Sequence, residues 1–364
     1  MNPYLIIIIA ILAGEYLISV LVETLNVRHL STDLPEEFKD SYSAEKYRKS
    51  QEYLRENTLF NLASGAIFTA VILLFIFLGG FNAVDVFARG FGFGPIATGL
   101  IFSGALVYCA QALAVPVTAY RTFVIEEKYG FNKTTVKTFF LDIVKSWILL
   151  ALIGGVALAG ILWLFQAAGK FAWLYCWIAI TVFKLFLTFI APVVIMPLFN
   201  KFVPLEDGEL KNAIERYAAG ERFAMRGVFK MDGSRRSAKS NAFFTGLGRF
   251  RRIALFDTLI AKHTVDELVS VLAHEIGHYK KKHILKSIFF STAVSGIMFF
   301  ILSKFINNPM LFGAFRMENL SIYASIFFFG ILYSPISAVF SVVGSVISRK
   351  HEYEADRYAV STYK

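Results

Sequence analysis

Seven stretches of the chain are apolar over roughly 17 residues or more, long enough for an α-helix to cross the hydrocarbon core of a bilayer. They run over 4–25, 58–80, 96–120, 146–168, 171–200, 287–303 and 319–348. The second, third and fourth contain no charged residue, and the fifth carries Lys184 inside it with Pro192 and Pro197 near its end. The first has no basic segment before it and no small-residue cleavage pattern, so it reads as a span and not as a cleaved leader. Glu15 and Glu23 lie in the first stretch, and Asp142 and Lys145 just ahead of the fourth. Charge at membrane depth is costly unless it pairs or meets water. The flanking charges therefore read as interfacial, while Glu15 and Lys184 point equally to a polar space between helices.

The pattern changes between the fifth and sixth stretches. Residues 201–286 are polar, with short apolar runs. Ala242 to Gly248, a glycine-containing turn and Ile253 to Phe256 predict a β-hairpin. A hairpin edge can bind an extended peptide by strand addition. Arg249, Arg251 and Arg252 beside it read as anchors on the cytoplasmic side, with attraction of a C-terminal carboxylate as the other reading.

Composition sharpens the class. The 364 residues are 56% hydrophobic and only 18% charged, well below the charged share of a soluble domain. This excludes a disordered or disulfide-stapled chain, and the two cysteines, Cys109 and Cys176, both lie in apolar runs. The net charge of +10 would suggest nucleic acid in a soluble protein. Here the basic residues sit in alternate loops. The odd-numbered loops and the tail hold 32 Lys and Arg, and the other side holds 4. That asymmetry predicts an outside N-terminus, with the long fifth loop and the C-terminus in the cytoplasm. No nucleic-acid partner is expected.

The sharpest chemical signal is His274-Glu275-Ile276-Gly277-His278. Thr264 and Glu267 have capping-box spacing, which predicts a helix from about Val265 through the motif. His274 and His278 then lie one turn apart on one face and can share a Zn²⁺ ion. Glu275 stands about 100° around the axis, beside the metal, where it can take a proton from a metal-polarised water. A catalytic site needs a third protein ligand. On a continuing helix His283 falls on the opposite face, so interfacial anchoring is its expected role. A better source is His351-Glu352-Tyr353-Glu354-Ala355-Asp356, just beyond the seventh stretch. Glu352 and Asp356 are one helical turn apart; one can ligate and the other can accept the free ring N–H of a ligand histidine.

The chain resembles the integral-membrane gluzincins typified by the type I CAAX prenyl proteases. Three motifs carry the resemblance: His274 to His278, Glu352 to Asp356, and Ser240-Asn241-Ala242-Phe243-Phe244-Thr245-Gly246 with Arg252-Ile253-Ala254-Leu255-Phe256-Asp257-Thr258-Leu259. The resemblance implies one Zn²⁺ held by His274, His278 and Glu352, with Glu275 as general base. It implies a supporting or proton-donating Asp356, and Asn241 on an edge strand that aligns the substrate backbone. It also implies helices around a water-filled chamber, with the zinc at its cytoplasmic end. Family members continue past the equivalent of Lys364 with helices that include a further His, so 349–364 reads as a shortened third-ligand helix.

The expected fold is therefore an all-α polytopic membrane protein of about seven transmembrane helices enclosing a chamber, with a small α+β cytoplasmic subdomain carrying a hairpin. The expected organisation is spans one to five over 1–200, the zinc-motif subdomain over 201–286, spans six and seven over 287–348, and the third-ligand helix over 349–364. The expected function is zinc-dependent endoproteolysis near the C-terminus of a prenylated or lipid-linked peptide. The membrane would be that of the endoplasmic reticulum in a eukaryote, or the cell membrane in a prokaryote. General membrane-protein quality control is the enzymatic alternative. A seven-span channel, receptor or transporter is the non-catalytic one, and it leaves the paired motifs unexplained. A site-2-type intramembrane protease fits less well, because the motif follows a polar loop.

Overall fold

A computed structural model describes residues 2–40, 42–245 and 252–363. Five long helices come first: α1 (Pro3–Arg28), α2 (Ala44–Phe77), α3 (Pro95–Glu126), α4 (Val136–Ala167) and α5 (Gly169–Phe199). Two shorter helices follow in the polar segment, α6 (Glu209–Gly220) and α7 (Val265–Lys280). The last two are long again, α8 (His283–Phe305) and α9 (Ile322–Thr362). Among the described residues, seven helices are long and apolar enough to cross a membrane. Each covers all or nearly all of one of the seven apolar stretches, because in hydrocarbon a helix satisfies every backbone polar group within itself. At most 17% of any span's most apolar window is buried inside the protein. Leu17 and Val339 are accordingly well exposed, as a membrane span that meets lipid in place of a protein core can be.

Two helices outrun their apolar stretches furthest. α2 starts at Ala44, well ahead of Thr58, on polar turns tied by Lys49–Glu45 at 3.0 Å and Arg48–Glu52 at 3.9 Å. α9 does not stop near Ser348 but runs unbroken to Thr362. The segment bearing Glu352 and Asp356 is the end of the last span's own helix.

The chain forms two compact units. The first comprises Met1–Asn132, Ser146–Cys176 and Met298–Ala338. Its core is aromatic: Phe315 stacks on Phe328 at 3.7 Å, and Phe81 meets both edge-on. Asp85 is fully buried there but satisfied, since Arg89 Nε lies 2.7 Å away and the Tyr323 hydroxyl donates to it.

The second unit comprises Lys133–Lys145, Trp177–Ile297 and Val339–Lys364, and it carries the motif residues. Four strands form its sheet: β1 (Phe202–Pro204), β2 (Gly227–Met231), β3 (Ala242–Thr245) and β4 (Arg252–Phe256), in the order β1-β2-β4-β3. β3 and β4 pair antiparallel, as the hairpin reading expected, with Phe243 opposite Ala254. β2 and β4 pair parallel. The hairpin's turn, with Arg249 and Arg251, lies outside the described residues. β4 is an inner strand, so Ile253, Ala254 and Leu255 are all buried, without alternation. Ile214 and Ala218 of α6 and Leu268, Leu272 and Ile276 of α7 pack with Ile253 and Leu255 in one core. Asp142 is held by both arms of Arg236, at 2.7 and 3.0 Å.

Candidate metal centre

Helix α7 begins as its sequence requires. The Thr264 side chain accepts from the Glu267 N–H, and the Glu267 carboxylate accepts from the Thr264 N–H at 2.8 Å. Leu268, Leu272 and Ile276 turn into the core and leave His274 and His278 together on another face. Their rings meet edge-on with centroids 4.8 Å apart.

α9 delivers the third group across a close contact. A Cβ built on Gly277 would lie 3.0 Å from the Ala355 Cα and its carbonyl oxygen. The two helices approach this near because residue 277 has no side chain. Ala355 is flanked along α9 by the residues that matter: Glu352 one turn earlier and Asp356 next to it. His274 Nε2 lies 3.3 Å from Glu352 Oε2, His278 Nε2 lies 3.6 Å from it, and the two Nε2 atoms are 3.0 Å apart. A tetrahedral zinc with bonds of about 2.05 Å needs ligand atoms about 3.4 Å apart. The three observed separations bracket that edge, and one donor atom from each residue falls within 4.8 Å of the others. Two imidazole nitrogens and one carboxylate oxygen also suit zinc chemically.

The atoms behind these donors settle the ring tautomers. His274 Nδ1 lies 2.7 Å from Asp356 Oδ1, so it donates and leaves the Nε2 lone pair facing Glu352. His278 Nδ1 lies 3.0 Å from His283 Nδ1, and His283 Nε2 lies 3.0 Å from Glu354 Oε2. With neutral rings, His283 donates to the Glu354 carboxylate and accepts from His278. That frees His278 Nε2 as well. Burial holds the His278 imidazole below its ordinary pKa, which favours this neutral form.

This arrangement corrects the expectation for His283. It is not an interfacial anchor on the far face of a continuing helix. α7 ends at Lys280, Lys282 takes φ 59°, and α8 begins at His283. The break swings His283 back under His278, where it is almost wholly buried and stacks on His351 at 3.9 Å. His283, His351 and Glu354 are the site residues that motif reading missed. Glu354 stood inside a quoted motif; a carboxylate on the same helix two residues from a ligand was the available signal.

Glu275 occupies the position its helical phase predicts. It lines a cavity of about 1010 Å³ together with His278 and Glu352. Burial pushes its carboxyl above the ordinary value, while His274 opposes the shift. Asn241 is set further off, immediately before β3. Its side-chain oxygen accepts from the Ala242 N–H at 2.9 Å, and its carbonyl accepts from the Phe256 N–H at 3.1 Å. β3 is an edge of the sheet, and Phe243, two residues on, reaches the same cavity as Glu275.

Comparison with known proteins covers nearly the whole chain. A family model described as the CAAX prenyl protease N-terminal region, five membrane helices, matches residues 23–201, and one for peptidase family M48 matches 204–364. CAAX prenyl protease 1 of Saccharomyces cerevisiae is 35% identical over 355 residues, covering 90% of this chain and 78% of the yeast protein. The human homolog of CAAX prenyl protease 1 is 30% identical over 375 residues, covering 90% of this chain and 79% of its own. The crystal structure of S. mikatae Ste24p matches with a TM-score of 0.94 at 34% identity, over 99% of this chain and 89% of the other.

Proposed function

The chain belongs to peptidase family M48, in its CAAX prenyl protease branch, and from that membership we propose that it is a zinc endopeptidase of prenylated C-terminal peptides, with His274, His278 and Glu352 as the metal ligands. Its membrane helices and family establish a multi-pass membrane metalloendopeptidase. The observation that carries the finer reading is the set of three donor atoms within 4.8 Å, with Glu275 next to one of them on α7. The prenylated substrate rests on what the relatives are named for. The zinc side is the cytoplasmic one by the division of Lys and Arg among the loops.

A zinc ion held there supplies Lewis-acid polarisation and brings the pKa of a water down to about 7. Glu275 takes the proton of the attacking water as it adds to the scissile carbonyl. Once protonated, it returns that proton to the leaving amide nitrogen. Asp356 keeps the His274 ring aimed through the Nδ1 contact, and His283 with Glu354 does the same for His278. The free edge of β3, entered at Asn241, offers backbone groups to an extended peptide.

The test is zinc content together with cleavage of a farnesylated peptide and its unprenylated twin. One zinc per chain, and cleavage that depends on the prenyl group and on Glu275, support the assignment. A zinc-loaded protein that cuts both peptides equally removes the prenyl-specific part. One that cuts neither removes the substrate reading.

A further inference from the structure

Beyond its apolar stretch α9 continues as a polar helix and meets α7 where Gly277 faces Ala355 and Tyr358. A contact this narrow sets how near the two helices come. It leaves the rotation of α9 about its own axis to other groups. At 100° per residue, Glu352 and Asp356 stand about 60° and 100° to one side of Ala355, and Tyr358 about 60° to the other. Side chains reach about 5.5 Å from a helix axis, so a roll of about 2° moves the Glu352 carboxylate by the whole tolerance of a metal site, about 0.2 Å. The distances from Glu352 to His274 and His278 therefore depend on whatever holds α9 against rolling.

Tyr358 is placed to do so. Its hydroxyl donates to the Glu221 carboxylate. Glu221 is itself fixed: it caps the end of α6, its N–H donates to the Tyr217 carbonyl at 3.0 Å, and its own carbonyl accepts from the Lys280 ammonium of α7. The strut thus runs from α9 to the end of α6 and back to α7, the helix that carries both histidines. Tyr358 and Glu221 are half-buried, where a charge-assisted hydrogen bond is stronger than in water. Glu354, about 100° round on the Tyr358 side, adds a hold one turn earlier through His283, but that bond also acts on His278. The Tyr358–Glu221 bond involves no proposed ligand and no hydrogen-bond partner of one. A second bond between α6 and α9 makes the contrast: the Tyr217 hydroxyl and Thr362 Oγ1 are 2.6 Å apart. Thr362 lies only about 20° round the axis from Ala355, on the contact face, so this bond has little lever against rolling.

We propose that Tyr358, braced by Glu221, is a positioning residue that sets the rotation of α9 and so presents Glu352 to the metal. The proposal rests on the reading of Glu352 as a ligand and adds what aims it. Removing the Tyr358 hydroxyl leaves every ligand atom in place on the chain and loosens only the angle at which one of them is offered. The loss then falls on metal affinity and kcat, and leaves KM nearly unchanged.

The experiment uses the full chain in neutral detergent and reads zinc affinity by chelator competition, the visible absorption of the cobalt-substituted protein, which reports ligand geometry, and the thermal midpoint. Tyr358→Phe should lower zinc affinity by about five- to tenfold, as loss of one hydrogen bond to a charged group implies, and should change the cobalt spectrum. Tyr217→Phe, which deletes the bond without the lever, should lower the thermal midpoint by as much and leave affinity and spectrum unchanged. Glu221→Gln keeps an acceptor oxygen and should keep most of the affinity. Glu221→Ala should match Tyr358→Phe, and the double variant should be no worse than either, because both remove one bond. Unchanged zinc affinity and an unchanged spectrum in Tyr358→Phe or in Glu221→Ala overturn the strut. An equal loss of affinity in Tyr217→Phe overturns it too, since the effect would then follow stability alone. Glu352→Ala, measured beside them, separates the two readings. If it keeps its zinc, the ligand assignment falls; if it loses zinc while Tyr358→Phe does not, only the strut falls.

Discussion

Gly277→Ala sets two physical effects against each other with opposite signs. Residue 277 is inside α7, where alanine is favoured over glycine by about 1 kcal/mol. Helix propensity alone therefore predicts a more stable protein. The added methyl, however, would stand 3.0 Å from the Ala355 Cα and carbonyl and 3.2 Å from the Tyr358 Cβ, where ordinary contact begins at 3.4 Å. Two of those atoms are backbone, and none is the free end of a flexible side chain. α9 must then retreat by about 0.4 Å, and Glu352 moves with it. Ligand distances at a metal site tolerate about 0.2 Å. Overpacking of this kind costs about 1–3 kcal/mol, so zinc affinity should fall by about tenfold to a hundredfold, where a tenfold change is 1.4 kcal/mol. The assay is zinc competition against a chelator of known affinity, followed by peptide cleavage at saturating zinc. Gly220→Ala is the control, since a Cβ there meets nothing within 4 Å. Ala355→Gly should fail to rescue, because the clash is with backbone. Unchanged zinc affinity in Gly277→Ala would refute the argument that this glycine sets the distance between the two halves of the site.

Three further outcomes follow from the same geometry. Glu275→Gln should retain zinc and lose about 10²–10⁴ in turnover, measured on metal-loaded protein; near-normal turnover would take Glu275 out of the mechanism. Glu352→Ala should lose zinc on dialysis, whereas His283→Ala and Glu354→Gln should keep a site weakened about 10- to 100-fold, because they act through His278; unaltered zinc affinity in both would reduce the His278–His283–Glu354 chain to packing. An impermeant thiol reagent on intact cells should label Asn2→Cys and spare Gly208→Cys, since Lys and Arg divide 32 to 4; equal labelling would refute the topology.

What the sequence disclosed and what it hid divide along physical lines. Seven apolar stretches located seven helices because lipid leaves the backbone no other solution. Hydropathy could not locate their ends, since the polar turns at Ala44–Asn57 and His351–Thr362 carry no apolar signal. The strands Phe202–Pro204 and Gly227–Met231 escaped notice for a related reason: three and five residues are too few to display a period. Within the site, helical phase correctly grouped His274, Glu275 and His278 because α7 is continuous through them. The same arithmetic misplaced His283, because it assumed that the helix went on. A glycine at 282 would have announced the stop; a lysine concealed it. Where a local rule is broken in a chain that otherwise obeys it, the exception is the place to look for function. Here two of the four left-handed non-glycine residues, Arg222 and Lys282, border the cavity that Glu275 lines.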